Sequence, residues 1–300
     1  MAAVRASGCV ALAFAACSAL PPGAECRARD GRVLRPPTLE PERRAQLERD
    51  LAAAEAAWAA APDDRDAAIW VGRRLGYLGR HRDAVAVFTR ALAARPDDPF
   101  LLRHRGHRWI TLREFQRAIV DLQRAAVACR TVPDRVEPDG QPTPGRPPHG
   151  TLHYAVHYHL GLAQFLAGDF AAAERAWLDC LAVAAHDEAR VAVSHWLWCA
   201  RRRLGDVAGA AAVVAAIGAD LDVVENRGYW QLCRFYAGRL ARADLVPPAG
   251  SAGSALAFGL AHYDLVTGDR ERAVAALRTL AGASGWSAFG VIAAEVELTR

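Results

Sequence analysis

Through most of the chain apolar residues recur with a period near 3.6, and runs of alternating β-branched residues are almost absent, which is the pattern of amphipathic helices rather than strands. Over 38–61, Leu47, Leu51, Ala54 and Trp58 share one helical face, Pro41 and Glu42 suit a first turn, and Pro62-Asp63-Asp64 stops the helix. From Arg65 the pattern becomes periodic on a larger scale. The 34-residue unit RDAAIWVGRRLGYLGRHRDAVAVFTRALAARPDD places Gly72 at position 8, Leu75 at 11, Gly79 at 15, Ala84 at 20, Phe88 at 24, Ala91 at 27 and Pro96 at 32. The next unit follows with no gap and carries Gly106, Trp109, Arg113, Ala118, Leu122, Ala125 and Arg130 at the same positions. Each unit reads as two amphipathic helices that bury their apolar faces only by stacking on neighbours. Gly72 and Ala84 mark the close approach of the two helices. Gly79 supplies the positive backbone torsion that ends the first helix, and Asp98-Pro99 opens the next unit.

Beyond the second unit the register slips. The turn position moves from Arg113 to Gly168, 21 residues more than one repeat. The excess is the segment 133–153, PDRVEPDGQPTPGRPPHGTLH, whose six prolines and three glycines exclude a helix and predict a loop lying over the array. A third unit starts at Tyr154 with Gly161, Gly168-Asp169, Ala173 and Trp177 in register, and a fourth near Val191 with Gly205-Asp206, Ala210 and Val214. There Trp198 replaces the small residue, so that hairpin must splay or shift. Gly238 and Gly268 mark two weaker hairpins, Pro247 to Gly253 is a second breaker stretch, and a final helix from Trp286 to Leu298 caps the end.

These spacings resemble the tetratricopeptide repeat family. The resemblance implies an all-α solenoid of about five to six stacked antiparallel helix hairpins plus caps. It also implies a concave groove, lined by set positions of each first helix, that holds a protein or peptide partner. Carried over residue by residue, those positions bring together Ile69 and Arg73, Arg103 and His107, Tyr158 and Phe165, and His195, Cys199 and Arg202. The candidate groove is therefore Arg73, Arg103, His107, Tyr158, Phe165, His195 and Arg202, a basic and aromatic surface suited to an acidic partner. The set of lysine, arginine and asparagine with which some members clamp a peptide C-terminus is missing. The repeat itself serves many purposes and does not name the partner.

Residues 1–17 have one early positive charge at Arg5, an apolar run from Cys9 to Ala16, and small residues after it, the layout of a secretory signal peptide. Phe14-Ala15-Ala16-Cys17-Ser18 resembles the bacterial lipobox, which makes Cys17 the candidate lipidation site and predicts export to the periplasm with attachment to a membrane through the lipid anchor alone. Residues 18–37, rich in Pro, Gly, Arg and Ala without periodicity, are expected to be a tether. The folded body then divides into 38–132, the loop 133–153, and 154–300. Hydrophobic residues make up 52% of the chain, enough for a core, and no nucleic-acid partner follows from a net charge of only +4. The basic residues are all arginine.

The seven cysteines include no CxxC pair and no metal-ligand spacing, so they read as small buried hydrophobes, with a bridge between helices left open. His104, His107, His153, His157, His159 and His195 gather around the insertion and on first helices. His153 and His157 stand four apart but lack the glutamate of HExxH. No nucleophile elbow, Walker loop, dinucleotide fingerprint or paired-carboxylate motif occurs. The reading is a non-enzymatic interaction scaffold without cofactor, metal or catalytic residues. The alternatives are a binding protein for a small anionic ligand and a metal-dependent enzyme that uses the histidines.

Overall fold

The computed structural model describes residues 19–140, 143–248, 250 and 253–300; the expected signal peptide and Cys17 lie outside them. Among the described residues the chain is an all-α solenoid of thirteen helices. After the lone α1 (Pro41–Ala60) come the hairpins α2/α3 (Arg65–Tyr77, His81–Ala94), α4/α5 (Pro99–Thr111, Phe115–Ala128), α6/α7 (Leu152–Ala167, Phe170–Ala182) and α8/α9 (Asp187–Leu204, Val207–Ala215). Helix α10 (Arg227–Tyr236) precedes a last hairpin α11/α12 (Ser254–Thr267, Arg270–Ala281) and a terminal α13 (Phe289–Glu297).

Two positional rules make the hairpins. The residue ending each first helix adopts a left-handed backbone, with φ of +77° at Gly79, +92° at Gly168, +80° at Gly205, +70° at Gly238 and +104° at Gly268. In three hairpins an aspartate follows that glycine and caps the second helix, as Asp169, Asp206 and Asp269 do for α7, α9 and α12. Seven residues before the turn, a glycine lets a large side chain of the second helix lie on the first helix. A Cβ on Gly72 would meet the Phe88 ring at 2.1 Å, one on Gly106 would meet Leu122 at 2.7 Å, and one on Gly161 would meet Trp177 at 2.5 Å. The residue facing Gly72 is thus Phe88, not Ala84. In α8 the rule is inverted: Trp198 stands at the small position and stacks on Tyr236 of α10, with centroids 3.7 Å apart and planes 8° apart.

The hairpin expected at Gly238 has only its first helix. From Arg239 to Pro248 the chain forms a three-residue 3-10 turn (Arg242–Asp244) instead of a second helix. Arg113 is the other departure. It occupies a turn position where the other hairpins carry glycine, yet holds φ of +65°, a conformation that costs an L side chain about 1–2 kcal/mol.

Residues 19–37 are not a tether. Cys26–Arg27 (β1) and Val33–Leu34 (β2) form an antiparallel pair, and Cys26, Ala28 and Leu34 are buried against Val85, Leu112 and Trp286. Arg32 donates to the Ala281 carbonyl at 2.7 Å, and Trp286 Nε1 donates to the Arg35 carbonyl at 2.7 Å. The segment therefore joins the first hairpins to the last. The Arg113 guanidinium makes a second junction, reaching Glu295 through Nε at 3.0 Å and Nη2 at 2.6 Å and also donating to the Trp286 and Thr111 carbonyls. Hydrogen bonds to a buried carboxylate and two carbonyls offset the strain of the left-handed arginine.

The insertion is folded down at both ends. At its base Val136 bridges Thr151, and Glu137 N–H donates to the Gly150 carbonyl at 2.8 Å. At its far end Arg146 grips Asp222 with two bonds of 2.7 and 2.5 Å, and Thr143 donates to Glu225 at 2.5 Å.

Candidate functional site

The first-helix face of α2 and α4 collects arginine and histidine as the repeat register requires, and the chain itself covers it. Glu137 of the insertion lies on Arg103 (Nη2 to Oε2, 3.0 Å) and His104 (Nε2 to Oε1, 3.3 Å), while Arg73 donates to the Pro138 carbonyl at 2.5 Å. Burial alone would raise the Glu137 carboxyl, but Arg103 and His104 hold it well below the ordinary carboxylate range. The place reasoned for a partner's acid is filled by an internal one.

Deeper in, Arg108 has no carboxylate within ion-pair distance among the described residues. Its Nη2 lies 2.7 Å from His107 Nε2 and its Nη1 3.4 Å from His81 Nδ1. A guanidinium has only donors, so each imidazole nitrogen facing it must be the bare acceptor. Burial, and next the neighbouring Arg103, lower Arg108 to about 10. Burial likewise lowers His104 to about 4, His159 to about 3 and His107 well below its ordinary range. Burial thus disfavours positive charge on these histidines, and His107, with His81, instead accepts from the buried Arg108.

The remaining candidate residues do not form one surface. The His107 and His159 rings lie 4.5 Å apart, and Phe289 of α13 packs on both at 5.2 and 5.7 Å. Phe165 is fully enclosed by Phe170, Trp177 and Trp196. His195 is equally enclosed, stacked between Tyr229 and Tyr236. Tyr158 is buried, accepting from Trp196 Nε1 at 2.9 Å. Arg202 turns to the Val266 carbonyl of α11 at 2.8 Å. The groove assignment fails at Phe165 because its ring packs into α7 and α8 with His262 of α11 beside it, and at His195 because α10 covers it. From α13, Glu297 is held by Arg203 at 2.5 Å and by Arg300, whose Nη2 also donates to the Phe165 and Leu166 carbonyls.

Open space lies instead on either side of the strand pair. A cleft of about 1180 Å³ runs between Glu25–Arg29 and helix α3, reaching the α4–α5 turn. Its apolar lining includes Cys26, Ala28, Val85, Trp109 and Leu112, and its arginines are Arg27, Arg29, Arg82, Arg90, Arg113 and Arg117, against only Glu25 and Glu114. A second cleft of about 790 Å³ lies between the 30–32 turn, α12 and the end of α13. Leu265, Val274, Leu277 and Leu298 line it, and its five arginines face only Asp30 and Glu297. The sequence reasoning missed both clefts, because they depend on where residues 19–37 pack.

Among the described residues no group of three or more His, Cys, Asp or Glu side chains is placed to hold a metal ion, and no helix is long and apolar enough to cross a membrane. Cys26, Cys129, Cys180, Cys199 and Cys233 are free and buried; burial raises Cys26 and Cys129 to about 11, far from a reactive thiolate.

No protein-family model matches the sequence, and no curated protein matches it either. Solved structures are similar in fold. A tetratricopeptide repeat protein from Parabacteroides merdae matches with a TM-score of 0.50 at 15% identity, over 79% of this chain and 86% of that one. PilW, a type IV pilus biogenesis factor, matches with a TM-score of 0.48 at 16% identity, over 80% and 87% of the two chains, and Pseudomonas aeruginosa pilF with 0.47 at 13% identity, over 80% and 85%. The fold is thus a solenoid of the tetratricopeptide repeat type.

Proposed function

We propose that this protein is a non-enzymatic interaction scaffold that holds an acidic segment of a partner protein in the larger cleft beside the strand pair, rather than in the concave groove. The observation that carries this reading is the charge of the cleft, in which five guanidiniums besides Arg113, whose charge Glu295 already balances, and two carboxylates surround an apolar floor. The two carboxylates are already engaged: Glu25 accepts the Arg82 backbone N–H at 2.8 Å, and Glu114 lies 3.7 Å from Arg117. An acidic chain with apolar side chains would gain charge-assisted hydrogen bonds at the rim and buried area at the floor. The signal-like residues 1–17 support export, with a lipid on Cys17 as the tether. Leu20, three residues farther on, lines the same cleft, which would bring the binding surface close to the membrane.

Fluorescence anisotropy with a labelled acidic peptide containing leucine, and with its lysine counterpart, tests the reading. We expect saturable binding of the acidic peptide only, weakened by salt and by Arg82→Glu with Arg90→Glu. Equal binding of both peptides, or binding indifferent to the double change, rejects it. Mass spectrometry of the mature N-terminus tests the tether, and an unmodified start at any residue other than Cys17 rejects that part.

A further inference from the structure

The two clefts share a design. Helix α3 presents Arg82 and Arg90 to the larger cleft with Val85 and Ala86 between them, and α12 presents Arg270 and Arg278 to the smaller one with Val274 and Leu277 between them. In both, the arginines stand eight residues apart on the second helix of a hairpin, at the first and last hairpins of the array, facing the strand pair from opposite sides. All four arginines are exposed, and among the described residues none has a carboxylate within ion-pair distance, whereas every carboxylate lining the clefts is engaged. Asp30 pairs with Arg32 at 2.6 Å, and Glu297 is held by Arg203 and Arg300. Arg90 lies over the Trp58 ring at 3.6 Å, an interaction of its face that leaves the N–H donors at its edge directed sideways.

Eight residues of helix span about 12 Å. In an extended chain, residues i and i+4 lie on the same side about 13 Å apart with residue i+2 between them. The arginine spacing in each cleft therefore matches the acid spacing of an extended chain laid along the helix. Resting on the acidic-partner reading above, we infer that each cleft reads one extended partner segment of the form acidic-x-apolar-x-acidic, so that one protein chain takes two such segments. Arg82 and Arg90, or Arg270 and Arg278, receive the two acids, and the residue between them covers Val85 and Ala86, or Val274 and Leu277. Two segments on one partner would then bind with an effective concentration set by the linker joining them.

The test uses the full protein and two synthetic nine-residue peptides of identical composition. One carries glutamates at i and i+4 with leucine at i+2; the other has the glutamates adjacent. Calorimetry is expected to give two sites per chain for the spaced peptide and at least tenfold weaker binding for the other. Arg82→Ala with Arg90→Ala should leave one site, and so should Arg270→Ala with Arg278→Ala; circular dichroism should show unchanged helix content, since these side chains are exposed. Equal affinity for the two peptides overturns the spacing while leaving the acidic-partner reading standing, and so does a single site unaffected by the α12 changes. Binding of neither peptide overturns both.

Discussion

Mild acid should unfold this protein, and the structure gives the size of the effect. Burial lowers His81 to about 2, His159 and His195 to about 3, and His104 and His262 to about 4. Their folded-state values all lie below the roughly 6.5 of an unfolded chain, so the unfolded state binds more protons. The stability these neutral rings contribute is complete above about pH 6.5 and is lost as the pH falls below it. At pH 5.5 each ring contributes on the order of 1 kcal/mol to unfolding, and five together amount to several kcal/mol, a large share of the stability of an ordinary domain. Carboxylates with ordinary values near 4 titrate below this window, so the interval from 7.5 to 5.5 reports the histidines. Urea titrations followed by circular dichroism across it should show the midpoint collapsing. His262, enclosed by Phe165, Phe258 and Trp198, supplies the control: His262→Leu should lower the slope of stability against pH by about 1.4 kcal/mol per unit. A midpoint that is flat from pH 7.5 to 5.5, or imidazole resonances titrating near 6.5 in the folded protein, would refute the reasoning.

Three further outcomes follow from the packing. Gly72→Ala should destabilise by about 1–3 kcal/mol, because the new methyl would overlap the Phe88 ring and force α2 and α3 apart; an unchanged thermal midpoint contradicts the register. Arg113→Ala should cost about 3–5 kcal/mol by leaving Glu295 buried without its partner, and the double change with Glu295→Ala should cost less than the two single changes combined; additive losses would show that the pair is not coupled. Glu137→Gln should loosen the insertion from Arg103 and His104, read as faster amide exchange at position 137 relative to α4; unchanged protection would mean that the Val136–Thr151 bridge and the Arg73, Thr143 and Arg146 contacts hold the loop without the carboxylate.

The hairpins were legible because each is local. A glycine at the turn and another seven residues earlier lie within one 34-residue unit, and Gly72, Gly106 and Gly161 all behave as that spacing requires. The strand pair was not, since two residues per strand leave no alternation to read and its packing partners at Ala281 and Trp286 are some 250 positions away. The same distance hid the site. Phe165 and His195 hold groove positions by repeat arithmetic, but Phe165 packs into α7 and α8 beneath His262 of α11 and His195 lies under α10, and α13, apolar apart from Glu295 and Glu297, reads equally as an end cap and as a plug. Arg82, Arg90, Arg270 and Arg278 are visible as spacings, yet nothing separates them from the chain's other arginines until the strand pair gives each pair a facing wall.

The junctions at Arg113–Glu295 and Trp286–Arg35 also change how the molecule must fold. An open solenoid touches only its neighbours, and its repeats can form or fray one at a time. Here contacts across 182 and 251 positions tie the early hairpins to the last, so the loop closure needed before they form is large and the mean sequence separation of contacts rises. Stripping α13 away would therefore loosen hairpins at the far end of the chain, and a scaffold built from separable parts comes apart as one.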